Sequence, residues 1–197
     1  MHGDILRKLD SYAADALLRR GTAGGEQCTA CAHNCVPGEG GRGRCGVRFV
    51  SGGRLKAPRG YVAALACDPV EKKPFFHVLP GARALSFGML GCNFSCKYCQ
   101  NYSLSAPEAA SAAARVARTT PEEVVAAARS CGAGLLVSTY NEPLVTAEWA
   151  CEIFKASDGG HLCAFVSNGH ATPEAVEFIK PFVRAFKVDL KCFRESS

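Results

Sequence analysis

Ala84-Leu85-Ser86-Phe87-Gly88-Met89-Leu90-Gly91-Cys92-Asn93-Phe94-Ser95-Cys96-Lys97-Tyr98-Cys99 joins an apolar run to three thiols at C-x3-C-x2-C spacing. The run 84–90 reads as a strand, and it delivers the cysteine loop at its C-terminal end. Three cysteines this close can be wrapped around one small metal centre. Ferredoxin-like chains hold a [4Fe–4S] cube with four thiolates, so a dedicated three-cysteine loop leaves one iron without a protein ligand. Such an iron can bind a substrate or cofactor. The plainer alternatives are a zinc ion or reduced buried thiols.

Downstream of the loop the periodicity alternates between strands and helices, which points to an α/β fold. The alanine-rich run 107–118 is expected to be helical. Thr120 looks like an N-cap, with Pro121 at the first helical position and Glu122 and Glu123 in the first turn of a helix ending near Gly132. A second strand, 135–139, ends in Tyr140-Asn141-Glu142-Pro143. A helix over 146–155 turns Trp149, Ala150, Ile153 and Phe154 toward the sheet. A third strand, 162–166, ends in Ser167-Asn168-Gly169-His170. Thr172 and Pro173 open the next helix, and a fourth strand, 185–188, runs into Asp189-Leu190-Lys191. Active sites of β/α folds gather at the C-terminal ends of their strands, where all these polar turns lie. Glu142 could equally be an ordinary loop carboxylate, and Asp189 with Lys191 a structural ion pair.

Upstream, Leu6, Leu9, Ala13, Leu17 and Leu18 recur at helical spacing among charged residues, so 1–20 is expected to form a helix. Those charges interrupt the apolar block that a signal peptide needs. Gly21-Thr22-Ala23-Gly24-Gly25 breaks the pattern as a hinge or loop. Cys28, Cys31, Cys35 and Cys45 follow at C-x2-C-x3-C-x9-C spacing in a glycine-rich stretch with no core of its own. Four thiolates there suit a metal knuckle in which the metal supplies folding energy. Zinc is the first reading and a second iron–sulfur cluster the other; His33 could replace one thiolate. Short strands are expected over 46–66 around a Gly52-Gly53 turn, Cys67 is read as a core thiol, and 68–81 as an extended connector in which His77 packs. Cys151 and Cys163 also read as core thiols.

The cysteine loop, with an aromatic just before its last thiol, resembles the radical S-adenosylmethionine (SAM) superfamily. The upstream C-x2-C-x-H-x-C knuckle and the 68–81 connector narrow the likeness to the radical SAM enzymes of the AmmeMemoRadiSam system, relatives of pyruvate formate-lyase activating enzyme. The likeness runs from about Cys28 to Lys191. It implies that Cys92, Cys96 and Cys99 ligate a [4Fe–4S] cluster whose open iron chelates SAM. An electron from the cluster then splits the sulfonium to a 5′-deoxyadenosyl radical that abstracts hydrogen from an unknown substrate. It further implies that Tyr98 lies against the adenine and that Glu142, and less directly Asn141, meets the SAM ammonium. Ser167 and Asn168 would lie beside SAM, with Asp189 and Lys191 around its carboxylate. A reducing partner such as flavodoxin or ferredoxin, and an oxidoreductase activity, are implied as well. The fold expected is a partial (β/α) radical SAM barrel of about four of six β/α units (83–197), preceded by a small Cys-rich, β-containing module (1–82). Because the sequence stops six residues after Lys191, the barrel is expected to be truncated or completed by another polypeptide.

The chain has 197 residues, 48% hydrophobic, enough for one substantial core and a small extra module. No apolar run approaches the roughly 20 residues needed to cross a bilayer. Twelve cysteines without a secretory signal read as metal ligands and reduced thiols in a cytoplasmic protein. The net charge of +5 comes from residues 1–60. A solvated surface explains it more simply than nucleic acid, since no aromatics interleave with the arginines. A protein or small-molecule substrate is left open. The reading from another class is a non-catalytic metal-binding or electron-transfer protein.

Overall fold

The computed structural model describes residues 7–106 and 116–192. Its frame is a five-stranded mixed sheet. Four strands, β8 (Arg83–Gly88), β10 (Ala133–Ser138), β11 (Leu162–Ser167) and β12 (Ala185–Val188), run parallel in that spatial order. Strand β7 (Ala64–Pro69) pairs antiparallel with β8 on its other side, Ala64 opposite Gly88 and Pro69 opposite Arg83. The stretch expected as strand up to residue 65 and connector from 68 is thus one continuous edge strand, followed by a short 3-10 turn, Val70–Lys72.

Both faces of the three inner strands, β8, β10 and β11, are covered, which is why they read as apolar runs, whereas the edge strand β12 leaves Phe186 and Val188 exposed. Leu85, Phe87, Leu136, Cys163 and Phe165 point to one side, into the main core. Helices α2 (Pro121–Ser130) and α3 (Ala147–Ala156) pack there through Val124, Val125, Ala128, Trp149, Ala150, Ile153 and Phe154. Ala84, Leu135, Val137 and Ala164 face the other way and are covered by Val70 and Phe75 of the connector. Helix α2 begins with a full capping box: Thr120 Oγ1 accepts from Glu123 N while the Glu123 carboxylate accepts from Thr120 N. Helix α4 (Pro173–Ile179) has one half of such a cap: the Thr172 hydroxyl oxygen accepts from Ala175 N at 3.0 Å.

The N-terminal part differs from its sequence expectation. Residues 7–10 are helical, but β1 (Ala14–Asp15) and β2 (Arg19–Thr22) follow where the helix was expected to continue. Burial alternates there, with Ala16 and Leu18 at 1% and 4% exposure around Leu17 at 68%. Two partners far along the chain impose that extended form. Ala16 N donates to Leu55 O, and the Glu148 carboxylate accepts from both Leu17 N and Leu18 N at 3.2 Å. Those contacts outweigh a few tenths of a kcal/mol per residue of helix propensity. The expected glycine hinge is the two-residue tip of a hairpin between β2 and β3 (Gly25–Cys28).

Strands β4 (Phe49–Ser51) and β5 (Arg54–Ala57) form a second hairpin as expected, with Gly52 and Gly53 at φ 61° and 69° supplying the left-handed turn. Strand β6 (Tyr61–Val62) pairs with β9 (Ala117–Arg118), so the C-terminal end of the expected alanine-rich helix is extended; the rest of that run, 107–115, lies outside the described residues. A four-residue helix, α1 (Tyr102–Ser105), follows the cysteine loop. Cys67 is not a free core thiol: it is bridged to Cys131 at the C-cap of α2. The two are 64 residues apart and meet only because α2 packs beside the sheet, so spacing could not have paired them. Cys151 and Cys163 are buried free thiols, as read from the sequence.

Candidate functional site

The C-terminal ends of the four parallel strands open on one cavity of about 410 Å³, within the size range of small-molecule sites. The loop after β8 brings Cys92, Cys96 and Cys99 to one wall; the turn after β10 brings Asn141 and Glu142; the turn after β11 brings Ser167 and Asn168. Asp189 and Lys191 follow β12, and Tyr98 closes the rim. Every residue assigned to the principal site from the sequence therefore lines this cavity.

Glycines make the strand ends converge. A Cβ on Gly88 would stand 2.5 Å from Thr139 O, and Gly91, at φ 100°, is crowded by Val47 of the N-terminal part. Gly91 N donates to Leu104 O at 2.9 Å, which anchors the first arm of the cysteine loop against α1. The three thiols are half-buried. Burial pushes the Cys92 thiol up to about 11, and the neighbouring Glu142, Cys96 and Cys99 charges add to the shift. Grouped thiolates here need a cationic centre, which an iron–sulfide cluster provides.

Glu142 is 3% exposed and accepts three hydrogen bonds: from Ser167 Oγ at 2.7 Å, Leu144 N at 3.0 Å and Asn168 N at 2.8 Å. Burial raises its carboxyl above the usual range, against the lowering effect of those donors and of Lys191. It forms no ion pair among the described residues, and a buried carboxylate facing a cavity is costly unless a cationic partner meets it there. Asn141 is used structurally: its Oδ1 accepts from Met89 N at 3.0 Å, and its Nδ2 donates to Glu142 O. Asn168 Nδ2 donates to Asn93 Oδ1 at 2.7 Å. Asp189 is ion-paired with both Lys187 and Lys191. Tyr98, 65% exposed, donates its hydroxyl to Lys191 O across the cavity rim.

Cys28, Cys31 and Cys45 are buried and Cys35 half-buried, away from this cavity. Backbone N–H groups point at their sulfurs: His33 at Cys31, Val47 and Arg48 at Cys45, and Arg44 at Cys35 at 3.4 Å. Among the described residues no three Cys, His, Asp or Glu groups close on a single ion-sized point. That holds for the four N-terminal thiols and for the three cavity thiols alike. Exposed His77 is not part of either group.

Sequence reasoning missed Tyr140. It lines the cavity at φ 74°, a backbone conformation costly for a bulky residue. Its hydroxyl oxygen lies 3.1 Å from Lys73 Nζ, and Lys73 is buried and ion-paired with Asp68 at 3.0 Å. A lysine ammonium only donates, so the Tyr140 O–H must point elsewhere. The positive φ at the end of a strand was the missing signal, and no sequence spacing encodes it.

A family model described as the radical SAM superfamily matches residues 88–196, more than half of the chain. An uncharacterized protein of Methanocaldococcus jannaschii is 34% identical over 167 residues, which cover 84% of this chain and 49% of that protein. The chain thus spans about half the length of this relative.

Proposed function

From the chain's membership of the radical SAM superfamily, we propose that Cys92, Cys96 and Cys99 hold a [4Fe–4S] cluster and that the adjoining cavity binds SAM for radical chemistry on an unknown substrate. The observation that carries this reading is the convergence of the three thiols and an unpaired buried carboxylate, Glu142, on one cavity at the ends of four parallel strands. Cys92, Cys96 and Cys99 would hold the cluster, which when bound would supply the one-electron reduction of SAM on which the superfamily's radical chemistry depends.

The chain's own residues orient and enclose. Glu142 receives the ammonium, which offsets the cost of burying its charge; Ser167 Oγ and Asn168 N hold that carboxylate in place. Asp189 and Lys191, which line the same cavity, would meet the carboxylate end of SAM, and the Tyr98 ring would lie against the adenine. Asn141 acts one step back, fixing Met89 beneath the cysteine loop. Zinc at Cys28, Cys31, Cys35 and Cys45 of the Cys-rich N-terminal part belongs to the same proposal; the N–H groups aimed at these sulfurs would help hold thiolates, but burial outweighs them, pushing Cys31 up to about 11 and Cys45 upward, so the metal itself would keep them deprotonated. The parallel strands β8, β10, β11 and β12, with β7 added at the edge, are then part of a radical SAM barrel of the AmmeMemoRadiSam kind, related to pyruvate formate-lyase activating enzyme. A reducing protein such as flavodoxin or ferredoxin, and a cytoplasmic setting that keeps the cluster thiols reduced, complete the proposal. No helix among the described residues is long and apolar enough to cross a membrane.

The test is anaerobic reconstitution with iron and sulfide, followed by dithionite and SAM. Formation of 5′-deoxyadenosine, lost on Glu142→Ala, is the expected result. A cluster that forms but neither binds nor cleaves SAM would instead identify a non-catalytic electron-transfer protein.

A further inference from the structure

The segment between the N-terminal thiols reaches the cysteine loop directly. His33 Nε2 lies 2.9 Å from the carbonyl oxygen of Asn93, the residue after Cys92. A carbonyl only accepts, so His33 carries its proton on Nε2 and donates. The ring is held in that pose by a tilted contact with His170, 4.6 Å between centroids and 54° between planes, and by the edge of Phe94 at 6.2 Å. Ala32 N donates to His170 O at 3.0 Å, which fixes the same segment to the turn after β11.

Asn93 is the meeting point. It is 2% exposed. Its Oδ1 accepts from Asn168 Nδ2 at 2.7 Å, its Nδ2 faces His170 Nδ1 at 3.4 Å, and its amide also reaches the Cys31 sulfur. Asn168 N in turn donates to Glu142. One connected network therefore runs from the N-terminal thiol segment through Asn93 to the carboxylate assigned to SAM.

We propose that His33 is a positioning residue for the cysteine loop, setting the placement of Cys92 relative to Asn168 and Glu142, so that the N-terminal module forms part of the SAM-binding machinery. This rests on the reading of the cavity as a cluster and SAM site. The fold itself does not need the contact, because the Gly91–Leu104 hydrogen bond and the capped helices remain without it.

The experiment compares reconstituted wild type, His33→Ala and His33→Gln by iron content, thermal unfolding, and electron paramagnetic resonance titration of the reduced cluster with SAM. Losing one partly buried hydrogen bond should weaken SAM binding about fivefold in His33→Ala, with iron content near wild type and a smaller SAM-induced spectral change. Gln can still donate to the Asn93 carbonyl, so His33→Gln should recover most of the loss. A His33→Ala protein that binds SAM as wild type does, or a Gln variant that rescues nothing, overturns the proposal. Should His33→Ala fail to fold, His170→Leu removes the ring contact and the Nδ1 acceptor from the other side; it must weaken SAM binding too, and unchanged affinity refutes the network. Wild type that binds no SAM would refute the site reading, a separate outcome.

Discussion

Gly91→Ala is the sharpest perturbation of the seam between the N-terminal module and the cysteine loop. Gly91 sits at φ 100°, and an added Cβ would collide with Val47 Cγ2, approach Val47 Cγ1 to 2.8 Å and reach 3.0 Å from Cys45 O. Holding a side chain at that φ costs about 1–3 kcal/mol, and overpacking a tight seam costs about 1–3 kcal/mol more. The sum, about 2–6 kcal/mol, is a large share of the stability of an ordinary domain, about 5–15 kcal/mol. Urea denaturation of the metal-free chain under reducing, oxygen-free conditions measures the loss, and iron uptake should fall in parallel because Gly91 precedes Cys92. Val47→Ala removes both γ-methyls, so in the Gly91→Ala background it should recover the steric part, about 1–3 kcal/mol, and leave the backbone part. Gly91→Ala within about 0.5 kcal/mol of wild type, or strictly additive costs in the double variant, would refute the reasoning.

Two further outcomes follow from buried charge. Arg48 is 1% exposed and paired with Glu148, whose other oxygen caps Leu17 N and Leu18 N; Arg48→Met should cost about 3–5 kcal/mol by stranding that carboxylate, and Glu148→Gln in the same background should restore part of it, both read by urea midpoint. Glu142 has its folded pKa raised above the ordinary 4.5 by burial, so the native state holds the proton more tightly than the unfolded chain. Its contribution is then most favourable below pH 4.5 and declines as pH rises through the raised folded value. In the metal-free chain the stability difference between wild type and Glu142→Gln should therefore shrink or reverse from pH 4.5 upward, and a difference independent of pH would contradict the assignment.

How much was legible depended on whether the signal was local. Capping at Thr120 and Thr172, the Gly52-Gly53 hairpin and the four parallel strands are written in short windows, and each appears where its residues place it. The polar turns after those strands could be gathered into one site because parallel β/α topology itself puts strand ends side by side. Long-range effects were not legible. Residues 14–20 carry a spacing that suits a helix, yet Glu148, over a hundred residues away, holds Leu17 and Leu18 extended. Cys67 gave no hint of Cys131. Tyr140 and Lys73 meet across the sheet end, and His33 contacts Asn93 across 60 residues. Such pairs are properties of packing and have no periodicity to read.

The central claim is that three thiolates hold a cluster whose remaining iron is free for SAM. Mössbauer spectroscopy of 57Fe-reconstituted, oxygen-free protein tests it most directly. The account predicts a [4Fe–4S] signal that disappears in Cys96→Ala, and in the native chain one iron environment that alone shifts when SAM is added. Iron retained in the Cys96→Ala protein, or a spectrum indifferent to SAM, would contradict it.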